Sequence, residues 1–300
     1  MATTNPVNPR INANRILCRL RDYYTLTKPE VNLLILMTTS AGFVLGHSGP
    51  VHWFGLLNTV LGTLLVASGT ATLNQFMERR YDAEMRRTAN RPLPAGRISA
   101  REAFWFGMGL SVAGGVYLWL TVNLLTAVLA VSTLLSYLLI YTPLKRKTPL
   151  CTLLGAFPGA MPTLIGWAGA ANSLNREAWF LFAVLFLWQF PHFLAIALMY
   201  REDYARAGYQ MLPAFDRDGQ FTRYEIVSFT VVLVLATLLP ALGSSYSLLY
   251  VLGVIASGAV FFYYAAKMFT GNSRQAAARV VHASVMYLPV VLALMVFCKP

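Results

Sequence analysis

Charged positions divide the chain into long apolar stretches joined by short polar connections. Uncharged runs cover 31–77, 103–144, 148–175, 178–200, 226–266 and 280–298. A membrane-crossing helix needs about 20 consecutive apolar residues. The runs of 47, 42 and 41 residues therefore each hold a helical hairpin, and the other three hold one helix apiece. The pattern predicts an all-α integral membrane protein, a bundle of nine transmembrane helices at 31–48, 53–77, 102–121, 124–141, 151–171, 178–200, 225–243, 248–268 and 280–298. Residues 1–30 precede them as a polar N-terminal arm, and 31–300 form the membrane domain.

Composition strengthens this reading. Of 300 residues, 57% are hydrophobic and 12% charged, and the mean hydropathy is +0.55, which excludes an ordinary water-soluble globule. A net charge of +12 could point to nucleic acid, but its placement does not. Of 24 Lys and Arg, 22 lie in the arm and in the loops after spans two, four, six and eight; the opposite turns and the C-terminus hold only Arg176 and Lys299. Positive residues mark the cytoplasmic side, so the N-terminus is expected there and the C-terminus outside. The loops at 78–101 and 201–224 then share the cytoplasmic face. They hold seven of the 12 acids, which places function on that face. They follow spans two and six, which hints at a duplicated four-helix unit.

Cys18, Cys151 and Cys298 lack CxxC spacing and indicate neither a disulfide framework nor a zinc site. The arm has no apolar stretch of the kind a cleavable signal peptide needs, and a bacterial inner membrane is the expected location.

Asn74, Glu78 and Asp82 recur at i, i+4 and i+8 at the end of span two. On a helix each such step turns the side chain by about 40° and rises about 6 Å, so the three oxygen-bearing groups form one strip. A strip of this kind suits Mg²⁺, which is commonly held by one or two carboxylates together with a substrate's phosphates. Two acids alone could simply pair with neighbouring arginines; an asparagine one turn deeper in the bilayer favours function. Arg86, Arg87, Arg91 and Arg97 follow closely. A carboxylate-held metal beside guanidinium forks is the combination that binds a diphosphate and stabilises it as a leaving group. Tyr141 and Lys145 repeat the i, i+4 spacing at the end of span four. Lys145 is either a further phosphate donor or a purely topogenic lysine.

Gly155 and Gly159 in span five form a GxxxG pair, expected to admit another backbone or to leave a smooth wall for a flat ligand. His192 lies two turns inside the apolar run of span six, where an ionisable group is either a satisfied core residue or functional. Eleven residues separate it from Asp203, so on one continuous helix the two nearly share a face, with the imidazole about 16 Å deeper.

Together these residues resemble the UbiA superfamily of intramembrane prenyltransferases and, within it, the branch that farnesylates protohaem IX. The likeness runs from Thr25-Leu-Thr-Lys-Pro-Glu30 through Asn74-x₃-Glu78-x₃-Asp82 and Met85-Arg-Arg-Thr-Ala-Asn-Arg-Pro92. It continues in Tyr141-x₃-Lys145, the Gly/Pro-rich stretch from Gly155 to Trp167, and Trp188-Gln-Phe-Pro-His192. The resemblance implies a central cavity open to the cytoplasmic side, with Mg²⁺ and a prenyl diphosphate held between two acidic motifs. The second motif, Asp-x₃-Asp in the superfamily, is reduced here because Ala207 stands four residues after Asp203, which leaves Glu202 and Asp203 as its metal candidates. By the same resemblance Asn74, Glu78, Asp82 and Asp203 are catalytic, Arg86, Arg87, Arg91, Tyr141 and Lys145 bind diphosphate, and His192 contacts haem. The implied substrates are farnesyl diphosphate and haem B within the lipid bilayer, with no nucleic acid, and the implied assembly partners are a haem A synthase or a terminal oxidase. The rivals are a UbiA-type enzyme acting on a quinone precursor or a chlorophyllide, and a transporter that relays protons through buried acids and a histidine.

Overall fold

A computed structural model of the chain describes residues 9–216, 218–243, 247–270 and 273–298, without the side chains of 9–15, 243 and 273. The side chains of Arg10 and Arg15, Arg217, Lys299 and most of the turn expected at 244–247 therefore lie outside the described residues. Every regular element among the described residues is helical. Among the described residues nine helices are long and apolar enough to cross a membrane: Pro29–Gly46, Trp53–Asp82, Ala100–Thr121, Leu124–Leu144, Cys151–Ala171, Arg176–Met199, Gln220–Leu242, Leu248–Phe269 and Arg274–Phe297. They are spans one to nine below. Spans two, seven and nine depart most from the hydropathy pattern, span seven starting at Gln220 instead of 225. Span two continues past 77 through Glu78 to Asp82, and span nine starts at Arg274 instead of 280. All three extensions carry charge, and hydropathy marks where a helix meets lipid, not where its hydrogen bonding stops.

The polar arm is itself helical, over Pro9–Leu26. Leu26 is fully buried with Leu93, Ile98 and Ala103, and the Tyr23 ring meets Phe106 edge-on at 4.9 Å. Asp22 pairs with Arg97 Nε at 2.9 Å, and Arg19 pairs with Glu102. Arg97 thus fastens the arm and has no carboxylate of the span-two strip as its partner.

Span five is the hub, packed against spans one, four and six. At Gly166 a Cβ would collide with the Thr39 carbonyl oxygen of span one, so this glycine is where two backbones approach. The GxxxG pair behaves differently from expectation. Gly155 faces the Tyr141 ring, whose carbons lie 2.5 Å from where a Cβ would stand, and Gly159 faces the Gln189 amide. These two glycines admit side chains, not a backbone. Gln189 Nε2 settles there by donating to the Ala156 carbonyl at 2.9 Å.

Span four is α-helical over Leu124–Leu135, widens to a π-helix over Ser136–Tyr141, and closes with Thr142–Leu144. Its cause is local. Pro143 has no amide hydrogen to give, and Thr142 directs both its amide and its hydroxyl to the Tyr137 carbonyl, the hydroxyl at 2.9 Å.

Asp216, one of the seven acids in the two polar loops, has a structural task. Its Oδ2 accepts from the Thr222 amide at 2.7 Å and the Thr222 hydroxyl at 2.8 Å, tying the loop to the first turn of span seven. Partial burial opposes its charge, but the Thr222 bonds prevail and hold the carboxyl below its usual range. Asp216→Ala should lower the thermal midpoint by the equivalent of about 0.5–2 kcal/mol. The ionised form is the one stabilised, so the difference should shrink as pH falls through the carboxylate range. Equal midpoints for the two proteins at neutral pH would refute this role.

Candidate active site

The polar strip of span two is buried along its length: Asn74, Glu78 and Asp82 are all screened from solvent. Three different segments supply cations to it. Lys28, at the head of span one, donates from Nζ to Asn74 Oδ1 at 2.9 Å. Lys145 Nζ meets Glu78 Oε1 at 2.9 Å, and Arg91 Nη1 meets Asp82 Oδ2 at 2.8 Å. Asn74 Nδ2 in turn donates to Thr142 Oγ1 at 3.2 Å, fixing the strip against the π turn of span four.

The loop after span six reaches the same place. Asp203 is buried, pairs with Arg206, and accepts the backbone amide of Arg87 at 3.3 Å. Glu202 is exposed, so of the two second-motif acids only Asp203 turns inward. The Arg87 guanidinium lies over the Tyr200 ring at 4.6 Å and reaches the Tyr204 hydroxyl at 3.3 Å. Met85, Tyr209 and Met211 pack with Cys151 into one cluster, and the Gln210 amide donates to the Lys145 carbonyl at 2.8 Å. The loops after spans two, four and six therefore close over the acids together, on one side of the bundle. Arg86 is exposed, and no acid pairs with it among the described residues.

Two participants are absent from the sequence-based set. Lys28 counted only towards topology, yet it stands in the left-handed region at φ 51°, directly before Pro29. Such backbone strain in a residue with a side chain persists only where the surroundings hold it; here Asn32 Nδ2 ties back to the Thr27 carbonyl at 3.0 Å. Burial, reinforced by the Arg91 guanidinium, pushes the Lys28 ammonium down to about 7. Burial acts the same way on Lys145, but the Glu78 carboxylate outweighs it and keeps that ammonium well above its usual value. Tyr209 is the second: it lines a cavity of about 400 Å³ with Glu78, Tyr81, Thr142 and Arg146. A lysine–proline pair at the mouth of a span was the available signal for the first; nothing local marks the second.

Among the described residues no three His, Cys, Asp or Glu side chains converge on a metal-sized point. An all-protein metal cage is therefore not what the acids form. Hard oxygen donors, buried and each paired with a cation, suit a metal that arrives with phosphates and shares its coordination with them.

His192 is not part of this group. Span six stops at Met199, Tyr200 breaks the helix at φ −113° and ψ 25°, and a separate helix runs Arg201–Arg206. The shared face expected of His192 and Asp203 assumed one continuous helix and does not hold. The imidazole instead stacks on Trp188, with centroids 4.7 Å apart, and bonds to Ser284 of span nine.

The sequence profile of the UbiA prenyltransferase family matches residues 35–288. The chain belongs to the UbiA prenyltransferase family. As a member it is a multi-pass membrane enzyme of prenyl transfer. A protoheme IX farnesyltransferase of Solibacter usitatus is 48% identical over 94% of this chain and 99% of its own. One from Salinibacter ruber is 43% identical over 92% and 98%. Solved UbiA folds superpose well at low identity: digeranylgeranylglyceryl phosphate synthase with a TM-score of 0.75 at 18% identity, covering 93% of this chain and 98% of that one. A UbiA homolog of Archaeoglobus fulgidus bound to GPP and Mg²⁺ gives 0.69 at 14%, covering 91% and 99%.

Proposed function

We propose that this UbiA-family enzyme transfers the farnesyl group of farnesyl diphosphate to the 2-vinyl group of haem B, with addition of water and release of diphosphate, giving haem O. The observation that carries it is the group of buried carboxylates at one end of the bundle, Glu78 paired with Lys145, Asp82 with Arg91 and Asp203 with Arg206. That arrangement supports ionisation of a diphosphate ester. The haem acceptor is supported by relatives sharing 43–48% of their residues over nearly the whole chain. A proton-relaying transporter is disfavoured because the acids gather at one end and leave the rest of the bundle without a path.

Lys28, Arg87, Arg91 and Lys145 bind the diphosphate oxygens, Arg91 and Lys145 exchanging their carboxylate partners Asp82 and Glu78 for phosphate ones. Tyr141, beneath the Lys145 ammonium at 4.5 Å, and Tyr137 beside it at 4.9 Å give the allylic carbon an aromatic, water-poor wall. Asn74, Glu78, Asp82 and Asp203 would hold Mg²⁺, which supplies positive charge to the departing diphosphate. The farnesyl carbon–oxygen bond breaks with its electron pair leaving on diphosphate. The vinyl π pair then bonds to the allylic carbon, and water captures the resulting cation with loss of one proton. Incubating the purified protein with haem B, farnesyl diphosphate and Mg²⁺ should yield the hydroxyethylfarnesyl haem by mass, and EDTA should stop it. Prenylation of a quinone precursor with haem left untouched would overturn the assignment.

The same reading puts the Pro9–Leu26 helix and the three closing loops in the cytoplasm of a bacterium, on its inner membrane, with haem A synthase or a terminal oxidase receiving the product. In a cysteine-free background, Arg86→Cys and Glu202→Cys should both react only with reagent supplied from the cytoplasmic side. Opposite accessibility of the two would break the topology.

A further inference from the structure

Ser284 is fully buried in span nine, and its hydroxyl sits between two groups. It lies 2.7 Å from the Val281 carbonyl oxygen and 2.7 Å from His192 Nδ1. A carbonyl only accepts and a serine hydroxyl has one proton, so that proton goes to Val281. The bond to His192 then needs its proton on Nδ1, with the Ser284 oxygen accepting. Among the described residues the ring's partners are Ser284, Trp188 and Phe193, and no acid pairs with it to support a second proton. Nε2 is left with a bare lone pair and no hydrogen-bond partner among the described residues. The ring is also held in its plane: Trp188 stacks on it at an interplanar angle of 18°, and Trp188 Nε1 donates to the Ser284 carbonyl at 2.7 Å. One residue of span nine thereby fixes both the imidazole and the indole beneath it.

We propose that Ser284 is a positioning residue: it locks His192 in the Nδ1–H tautomer and so presents Nε2 as a lone-pair donor to the acceptor substrate. The tautomer stands on the geometry alone, whereas the role towards the substrate rests on the haem reading above. A histidine that meets a metal through one nitrogen is commonly fixed by a hydrogen bond at the other, and haem iron is the acceptor's own metal.

Ring-¹⁵N-histidine labelling reports the tautomer without any haem. The chain has four histidines, and His192→Gln assigns the relevant signal. Two-bond proton–nitrogen correlation spectra should show Nδ1–H for His192 in the wild type and in Ser284→Thr, and a shift towards Nε2–H in Ser284→Ala. An Nε2–H wild type, or an unchanged tautomer in Ser284→Ala, overturns the lock; the wild-type spectrum decides this even if the alanine variant does not fold. In parallel, haem titrated by absorbance should bind about 10- to 100-fold more weakly to Ser284→Ala, with recovery in Ser284→Thr and unchanged farnesyl diphosphate binding. If the tautomer shifts but haem binds normally to both Ser284→Ala and His192→Ala, the lock stands and the role towards haem is overturned.

Discussion

Glu78→Gln should abolish prenyl transfer and also weaken the fold, and the two losses should come apart in a double variant. Glu78 and Lys145 keep only 8% and 12% of their side-chain surface exposed, so they form a buried pair. The amide preserves shape and removes charge, which strips the strip of its central carboxylate and leaves the Lys145 ammonium without a counter-ion. Removing one partner of a buried pair costs about 3–5 kcal/mol, whereas replacing both by neutral groups is often nearly neutral. Glu78→Gln/Lys145→Gln should therefore recover most of the thermal midpoint, while turnover stays at least about 100-fold down, the scale of losing one transition-state charge contact. Asp82→Asn should follow the same course through Arg91. Near-normal turnover in Glu78→Gln would sink the assignment; recovery of turnover in the double variant would reduce Glu78 to a counter-ion for Lys145.

His192→Ala should leave farnesyl diphosphate binding near the wild-type value and lower haem affinity or turnover by at least about 10-fold. The expectation follows from separation: among the described residues the imidazole contacts Trp188, Phe193 and Ser284 of span nine, and none of the acids or their cations. Alanine also opens a gap beside Trp188, so a second variant is needed. His192→Phe can refill the stack but offers no nitrogen. Equal losses in both variants assign the effect to the nitrogen; full activity in His192→Phe would assign it to packing, and unchanged haem binding in both would favour a quinone-type acceptor.

What sequence could reveal here depended on distance along the chain. The nine spans were legible because lipid exposure is a local property, and the Asn74, Glu78 and Asp82 strip because i, i+4 spacing survives in any helix. Of the strip's partners, Arg91 and Lys145 were already candidates, but which acid each meets was not legible, and Lys28 was missed. Lys28 is 46 positions from Asn74 and Lys145 is 67 from Glu78, and Lys28, as a lysine beside a membrane span, reads as a topology signal until its contact is seen. The break at Tyr200 follows no proline or glycine at that point, so helical arithmetic carried on to Asp203 across a helix that had ended. Gly155 and Gly159 carried the right spacing for a backbone contact, but spacing does not say which neighbour fills the groove.

The π turn in span four has a consequence for how the gene can vary. Over Ser136–Tyr141 the helix carries one residue more than α-helical winding needs for that rise. Deleting a lipid-facing residue there, such as Leu139 or Ile140, would leave a stretch just as apolar and still long enough to cross a bilayer. That deletion would let the wide turn close to α winding and leave Thr142 beside Asn74 and Lys145 beside Glu78, whereas the same loss within Leu124–Leu135 would swing everything after it by about 100° and part both pairs. The residue count of this helix can therefore change at its wide turn, while elsewhere it is set by the chemistry at the helix end and not by the thickness of the membrane.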